Sequence, residues 1–314
     1  MGFTRRAFAG MTAASLAAAA LPARARAASA VPAMPVGAVD CHNHIMGPRD
    51  KYPYAADRTY TPPEASVAAL KDLRARIGTA RNVLVTPSVY GTDNRCLVDA
   101  LTELKGTARG IAVLPLDVSD AELRRLDNAG VRGVRLSLGG TGRYDANSAR
   151  AALSSLSPRF FKLGWNIEIV GALDVVVGLA PAIAASRVPV VLDHFSGATG
   201  GGLDQPGFAA LLTLVRARNT FVKLSAPYNR SKSADYSDMI ALARALIEAG
   251  PDRMLWGTNW PHPDQIAGRS ISEVTPYHTI NNENLVRLFA EWCPDAGTRK
   301  TILVDTPQNL YRFG

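Results

Sequence analysis

Eight short apolar, β-prone runs recur along this chain with helical stretches between them, and that alternation most narrows the folds open to it. The runs are "GAVDCH" (37–42), "NVLVTP" (82–87), "GIAVLP" (110–115), "VRGVRL" (131–136), "NIEIVG" (166–171), "VPVVLDH" (188–194), "TFVKLS" (220–225) and "RMLWGT" (253–258). Each is apolar on both faces, as parallel strands covered by helices should be. Amphipathic helices are predicted over 64–77, 120–129, 206–218 and 235–249, with Pro206 in a first turn and Gly250-Pro251 as a stop. The pattern predicts one (β/α)8 TIM barrel spanning 36–314. A doubly wound open sheet is the runner-up, but it expects a glycine-rich phosphate turn after an early strand, and the chain has none. The stretch "GATGGGLDQPG" (197–207) follows the sixth run and reads as a loop.

Barrel chemistry gathers at the carboxyl ends of the strands. The first run ends in His42-Asn43-His44, and alternate residues just past a strand project to one side, so both imidazoles can converge. The sixth ends in Asp193-His194, and His262 follows the eighth, placing four of the five histidines at strand ends. A single histidine is most often structural; four at one mouth point to a metal or a polarised carbonyl. The eighth run empties into "LWGTNWPHP" (255–263), where a catalytic loop usually offers a carboxylate; here the position is Asn259, an amide.

Together "VDCHNH", "LDHF", "VKLSAPY", "WGTNWPHP" and the closing "DTPQNLYRFG" resemble the amidohydrolase superfamily. The branch they are most similar to holds the 2-pyrone-4,6-dicarboxylate lactonases, sulfomuconolactone hydrolases and related sugar-acid lactonases and lactone isomerases. The resemblance covers essentially everything after Val36 and implies an amidohydrolase-type barrel. It also implies a catalytic set of His42, His44, His194 and Asn259, the last in the eighth-strand acid position. Metal-dependent members use these positions as ligands; the lactonase branch works without a metal. Candidate ligands for one divalent ion, zinc by its chemistry, are His42, His44, His194 and Glu168 on the fifth strand. Against a metal stand the amide at Asn259 and the lack of a bridging lysine after the fourth or fifth strand. Glu168 otherwise pairs with an arginine lower in the barrel.

Substrate binding is expected from cations and hydroxyls at the same mouth. Arg135 matches a family arginine and offers a planar fork to a carboxylate. Arg230 is a second such cation, and Arg143 a looser third. Ser88, Tyr60 and Tyr228 supply hydroxyls, and His262 either binds or caps the pocket. Each has a plainer alternative, Arg135 as an anchor of barrel layers and the tyrosines as loop packing. Phe195-Ser196-Gly197 stands where the family often carries a cation, so the substrate can bear one carboxylate fewer than a pyrone dicarboxylate.

The expected activity is hydrolysis of a lactone of a carboxylate-bearing small molecule. Three imidazoles and an arginine polarise the carbonyl, and proton transfer falls to a histidine, to Asp193 through His194, or to Glu168. Asn259 either orients the water or donates to the developing oxyanion. A lactone isomerase is the nearest rival. A metal-dependent decarboxylase or amidohydrolase is another, and a non-catalytic binding protein a third.

Residues 1–30 read as a leader, with a basic start, an apolar run over 7–21 and Ala-x-Ala cleavage choices. Arg5-Arg6 resembles a twin-arginine signal, so export to the periplasm is expected. Pro22 and Arg24 cut the apolar run short of the ~20 residues that span a membrane. The leader carries four arginines and no acid, so beyond it the net charge falls from +8 to +4. The chain has no Lys/Arg run, and no nucleic-acid partner is expected. Three cysteines give no disulfide framework: Cys41 reads as a buried filler, while Cys96 and Cys293 can pair in an oxidising compartment. A monomer or a homodimer through the outer helices is expected.

Overall fold

The computed structural model describes residues 31–138, 144–217, 219–266 and 268–314. The expected leader, Arg143 and Arg218 lie outside these residues. Among them, eight strands form one parallel sheet in the order of the chain. They are β1 (Val39–Asn43), β2 (Arg81–Val85), β3 (Ala108–Ala112), β4 (Val131–Ser137), β5 (Asn166–Val170), β6 (Val190–Leu192), β7 (Thr220–Ser225) and β8 (Met254–Gly257). Their helices are α1 (Val67–Ile77), α2 (Arg95–Glu103), α3 (Asp120–Asn128), α4 (Ala146–Leu163), α5 (Leu173–Val177) and α6 (Ala180–Ala184). The set continues with α7 (Phe208–Arg216), α8 (Ile240–Ala249), α9 (Asn282–Trp292), α10 (Ala296–Lys300) and α11 (Thr306–Tyr311). The alternation is that of a TIM barrel, as the eight apolar runs predict.

The helices start and stop on sequence signals. Ser66 accepts from the Ala69 N–H to open α1, Asp145 and Ser148 form a reciprocal capping box on α4, and Asn281 caps α9. Gly78 and Gly164 close α1 and α4 in the left-handed conformation. Val67, Leu70, Leu73 and Ile77 of α1 are all buried, the spacing of one helix face laid against the sheet.

Several local expectations are corrected. Gly207, at φ +90°, caps α7, so Pro206 belongs to the preceding turn and not to the helix. The sixth strand ends at Leu192, leaving Asp193 and His194 just beyond it. Helix α8 begins at Ile240, after a 3₁₀ turn over Ser237–Met239. Cys96 and Cys293 are free thiols, directed at the carbonyls of Ile45 and Asp295 respectively. Cys41 is a buried filler.

The seam between β8 and β1 is closed by side chains as much as by backbone. Asn43 and Trp260 form a parallel bridge, the His44 N–H donates to the Trp260 carbonyl at 2.8 Å, and the Asn259 N–H donates to that of His42 at 2.9 Å. Beneath them the buried Asp40 carboxylate accepts from the Thr258 hydroxyl at 2.6 Å and N–H at 2.9 Å, and from the Asn43 amide at 2.9 Å. A Cβ at Gly257 would lie 2.8 Å from the His42 nitrogen, which is why this seam takes glycine there. The barrel floor is an apolar cluster of Val39, Val83, Ile111, Val191, Phe221 and Leu255 with Tyr311 and Phe313 of the C-terminal tail. Above it stands the polar layer.

Candidate active site

The carboxyl ends of the strands enclose a cavity of about 220 Å³. His44, Tyr60, Ser88, Arg135, His194 and Asn259 all line it, bringing together six of the residues expected from sequence. His42 stands directly behind, its ring 5.0 Å from that of His44 and 4.6 Å from that of His194. Arg230 lies near enough to act on His194 and Asp193 electrostatically. Tyr228 and His262 form the wall behind Asn259, their rings 5.5 Å apart.

The turn after β6 is held in an unusual conformation. His194, Phe195, Ser196 and Gly197 have φ of 52°, 57°, 56° and 77°, four left-handed residues in succession. Such backbone costs energy for residues with a Cβ and persists only where the surroundings impose it. Gly197 lies so close to the loop after β5 that an added Cβ would sit 2.4 Å from the Gly171 carbonyl. The effect is to turn His194 into the mouth, where its Nδ1 lies 2.8 Å from the Ser225 hydroxyl.

One central residue, Lys223 on β7, is not anticipated by the sequence reading. Its ammonium is fully buried and lies 2.6 Å from Glu168 Oε2, 3.2 Å from His42 Nδ1 and 3.3 Å from Asp193 Oδ1. An ammonium only donates, so Glu168 and His42 accept its hydrogen bonds while Asp193 adds a second negative charge beside it. Glu168 is therefore neither cavity-facing nor paired with an arginine. It is locked from above by Lys223 and from below by the Tyr311 hydroxyl at 3.1 Å. The signal in the sequence is a lysine inside an otherwise apolar buried strand, since such a charge must be paired.

His42 Nδ1 faces both a donor, Lys223 Nζ at 3.2 Å, and an acceptor, Asp193 Oδ1 at 3.4 Å, while its Nε2 is buried with no partner among the described residues. His44 Nδ1 lies 2.8 Å from the Val85 carbonyl, which only accepts, so His44 turns a lone pair on Nε2 to the cavity side. Burial, reinforced by Arg135, holds the His44 pKa down to about 4. Burial likewise depresses His42 and His194 far below the usual imidazole range, with Lys223 adding to the effect on His42. Burial also lowers His262, to about 3. At neutral pH the mouth thus presents uncharged imidazoles, with His44 among them as an acceptor. Burial alone would raise Asp193, but Lys223, His42 and Arg135 outweigh it and keep the carboxylate ionised.

Donor atoms of His42, Asp193 and His194 lie within 4.8 Å of one another, close enough for a metal. The surrounding charge does not suit one. Asp193 Oδ1 faces Lys223 at 3.3 Å and its Oδ2 faces Arg135 Nε at 3.0 Å, so both oxygens already answer a cation. A divalent ion here would sit against two fixed positive charges, with Asn259 offering no neutralising carboxylate. His44 is engaged elsewhere by Val85, and Glu168 by Lys223.

This barrel, with histidines at the ends of β1 and β6 and a polar eighth-strand residue, defines a class. The amidohydrolase family matches residues 39–313, and the chain belongs to that family. It is 36% identical over 289 residues to a 2-pyrone-4,6-dicarboxylate hydrolase of Comamonas testosteroni, covering 88% of this chain and 91% of that one. It is 34% identical over 284 residues to a 4-sulfomuconolactone hydrolase of Rhizobium radiobacter, covering 89% and 91%. A crystal structure from Agrobacterium tumefaciens superposes with a TM-score of 0.78 at 24% identity, covering 90% of this chain and 98% of that one, a likeness of fold.

Proposed function

We propose that this enzyme opens the lactone ring of a carboxylate-bearing small molecule by hydrolysis and does so without a resident metal. The observation that carries the reading is the cavity at the mouth, where neutral imidazoles, His44 with a lone pair on Nε2, meet Arg135 over the ion-paired layer of Lys223, Glu168 and Asp193. Arg135 supplies positive charge at the cavity wall for the substrate carboxylate or the developing oxyanion.

Water attacks the lactone carbonyl carbon as its proton passes to His44 Nε2, forming the tetrahedral intermediate. Collapse breaks the acyl carbon–ring oxygen bond, and the leaving oxygen recovers the proton from His44. An imidazole held near pKa 4 is a weak base, but its conjugate acid is a strong one and releases the proton readily to the leaving group. Ser88 and Tyr60 present hydroxyls across the cavity for the rest of the substrate. Arg230 contributes charge from beyond β7. The leader grammar of residues 1–30 supports export to the periplasm as part of the same proposal.

Proton NMR on the purified protein with a panel of mono- and dicarboxylate lactones tests the reading. Ring-opened acid at equal rates with and without chelator is the expected outcome. Loss of turnover on chelation would remove the metal-free part. Rearranged lactone without ring opening would reassign the enzyme as an isomerase.

A further inference from the structure

Asn259 stands where an acid would remove a proton, and three hydrogen bonds in series determine what its amide does instead. The side-chain carbonyl oxygen of Asn282, Oδ1, in the first turn of α9, lies 3.2 Å from His262 Nε2. A carbonyl only accepts, so His262 carries its hydrogen on Nε2. The ring is neutral at working pH, so Nδ1 holds a lone pair. The Tyr228 hydroxyl, 3.1 Å from Nδ1, must therefore donate to it, leaving the phenol oxygen to accept from the Asn259 amide N–H at 2.8 Å. Each step dictates the next. The result is an Asn259 side chain whose amide nitrogen is spoken for and whose Oδ1 is buried with no partner among the described residues, in a residue that lines the cavity.

The backbone holds the same arrangement. Asn259 and His262 both have left-handed φ, 63° and 72°, and the His262 N–H closes the turn on the Asn259 carbonyl at 2.8 Å. The His278 N–H donates to the His262 backbone carbonyl at 3.0 Å, holding the main chain of that residue. Asparagine is among the few residues that adopt the left-handed region readily.

We propose that Asn282, His262 and Tyr228 form a one-way hydrogen-bond relay that presents the Asn259 carbonyl oxygen to the cavity as an acceptor. Asn259 then orients the attacking water by accepting one of its hydrogens; it takes no proton and gives none to the oxyanion. Tyr228, His262 and Asn282 are positioning residues acting through Asn259. The proposal rests on the hydrolytic reading for the identity of the attacking group, but the relay itself does not.

Two measurements decide it. In protein labelled with ¹⁵N-histidine, long-range proton–nitrogen correlation reads the tautomer of each of the five imidazoles, with His262 identified by its absence in His262→Gln. His262 protonated on Nε2 with Nδ1 as acceptor is expected; the opposite tautomer inverts the series, turns the Asn259 N–H into the cavity and overturns the proposal. Kinetics supply the second. Asn282→Asp keeps an acceptor opposite Nε2 and should hold kcat within about threefold, whereas Asn282→Leu should lose about tenfold in kcat with KM little changed. An Asn282→Leu variant with unaltered kcat, or one whose loss appears in KM alone, overturns the positioning role. If the parent protein opened no lactone, the hydrolytic reading would fail while the tautomer measurement still judged the relay.

Discussion

At the scale of single residues, chemistry here is set by which proton each imidazole carries. Val85 assigns His44 as an acceptor toward the cavity, a role the sequence cannot give because every histidine beyond a strand reads alike. Replacing His42 or His194 by alanine should lower kcat/KM by about 10²-fold or more, since each loss removes a group aimed at the reacting centre. Wild-type turnover in either variant, measured on the best substrate of the lactone panel, would sink the assignment. The histidines, Arg135 and the anomaly at Asn259 were legible because motif and strand end coincide. Lys223 was not, since its meaning depends on acceptors brought from β1, β5 and the turn after β6. The Asn282 contact escaped for the same reason, coming from a helix start more than twenty residues past the amide it serves.

Among the elements, the eighth-to-first seam and the turn after β6 carry the precision of the mouth. Asp40 receives hydrogen bonds from both sides of that seam, so Asp40→Ala leaves the Thr258 and Asn43 donors stranded in a buried site. A loss of about 3 kcal/mol in urea unfolding is expected. Gly197→Ala meets both an unfavourable φ and a 2.4 Å approach to the Gly171 carbonyl, and should cost about 2 kcal/mol or more while misplacing His194. A variant as stable and as active as the parent would show that the left-handed turn relaxes without consequence. The strands were readable because burial on both faces writes itself as unbroken apolar runs. Their ends were less so: Asp193 and His194 looked like strand, and only the left-handed φ values show the chain already turning. Pro206 misled for a related reason, being as well suited to a turn as to a helix start.

For the molecule as a whole, burying the polar layer makes stability depend on acid. His44 and His262 have pKa values held to about 4 and about 3 in the fold, against an unfolded value near 6.5, so the unfolded chain binds protons first as pH falls. Stability is therefore full above about 6.5 and drains as pH drops toward 4, His44 alone accounting for something on the order of 3 kcal/mol. Glu168, its pKa raised by burial to about 7, and Asp40, also raised by burial, act in the opposite sense, but they are two groups against four depressed imidazoles. Thermal melts from pH 7 to 4 should show a steady fall in Tm; a flat profile would mean the imidazoles are not held neutral. The internal charge balance also reaches beyond folding. Opening a lactone that already bears a carboxylate yields a polycarboxylic acid, and such acids sequester divalent cations from solution. On the metal-free reading proposed above, a catalytic layer balanced by Lys223 and Arg135 holds nothing that its own product can carry away. As product accumulates it can crowd the cavity, but it cannot disarm it.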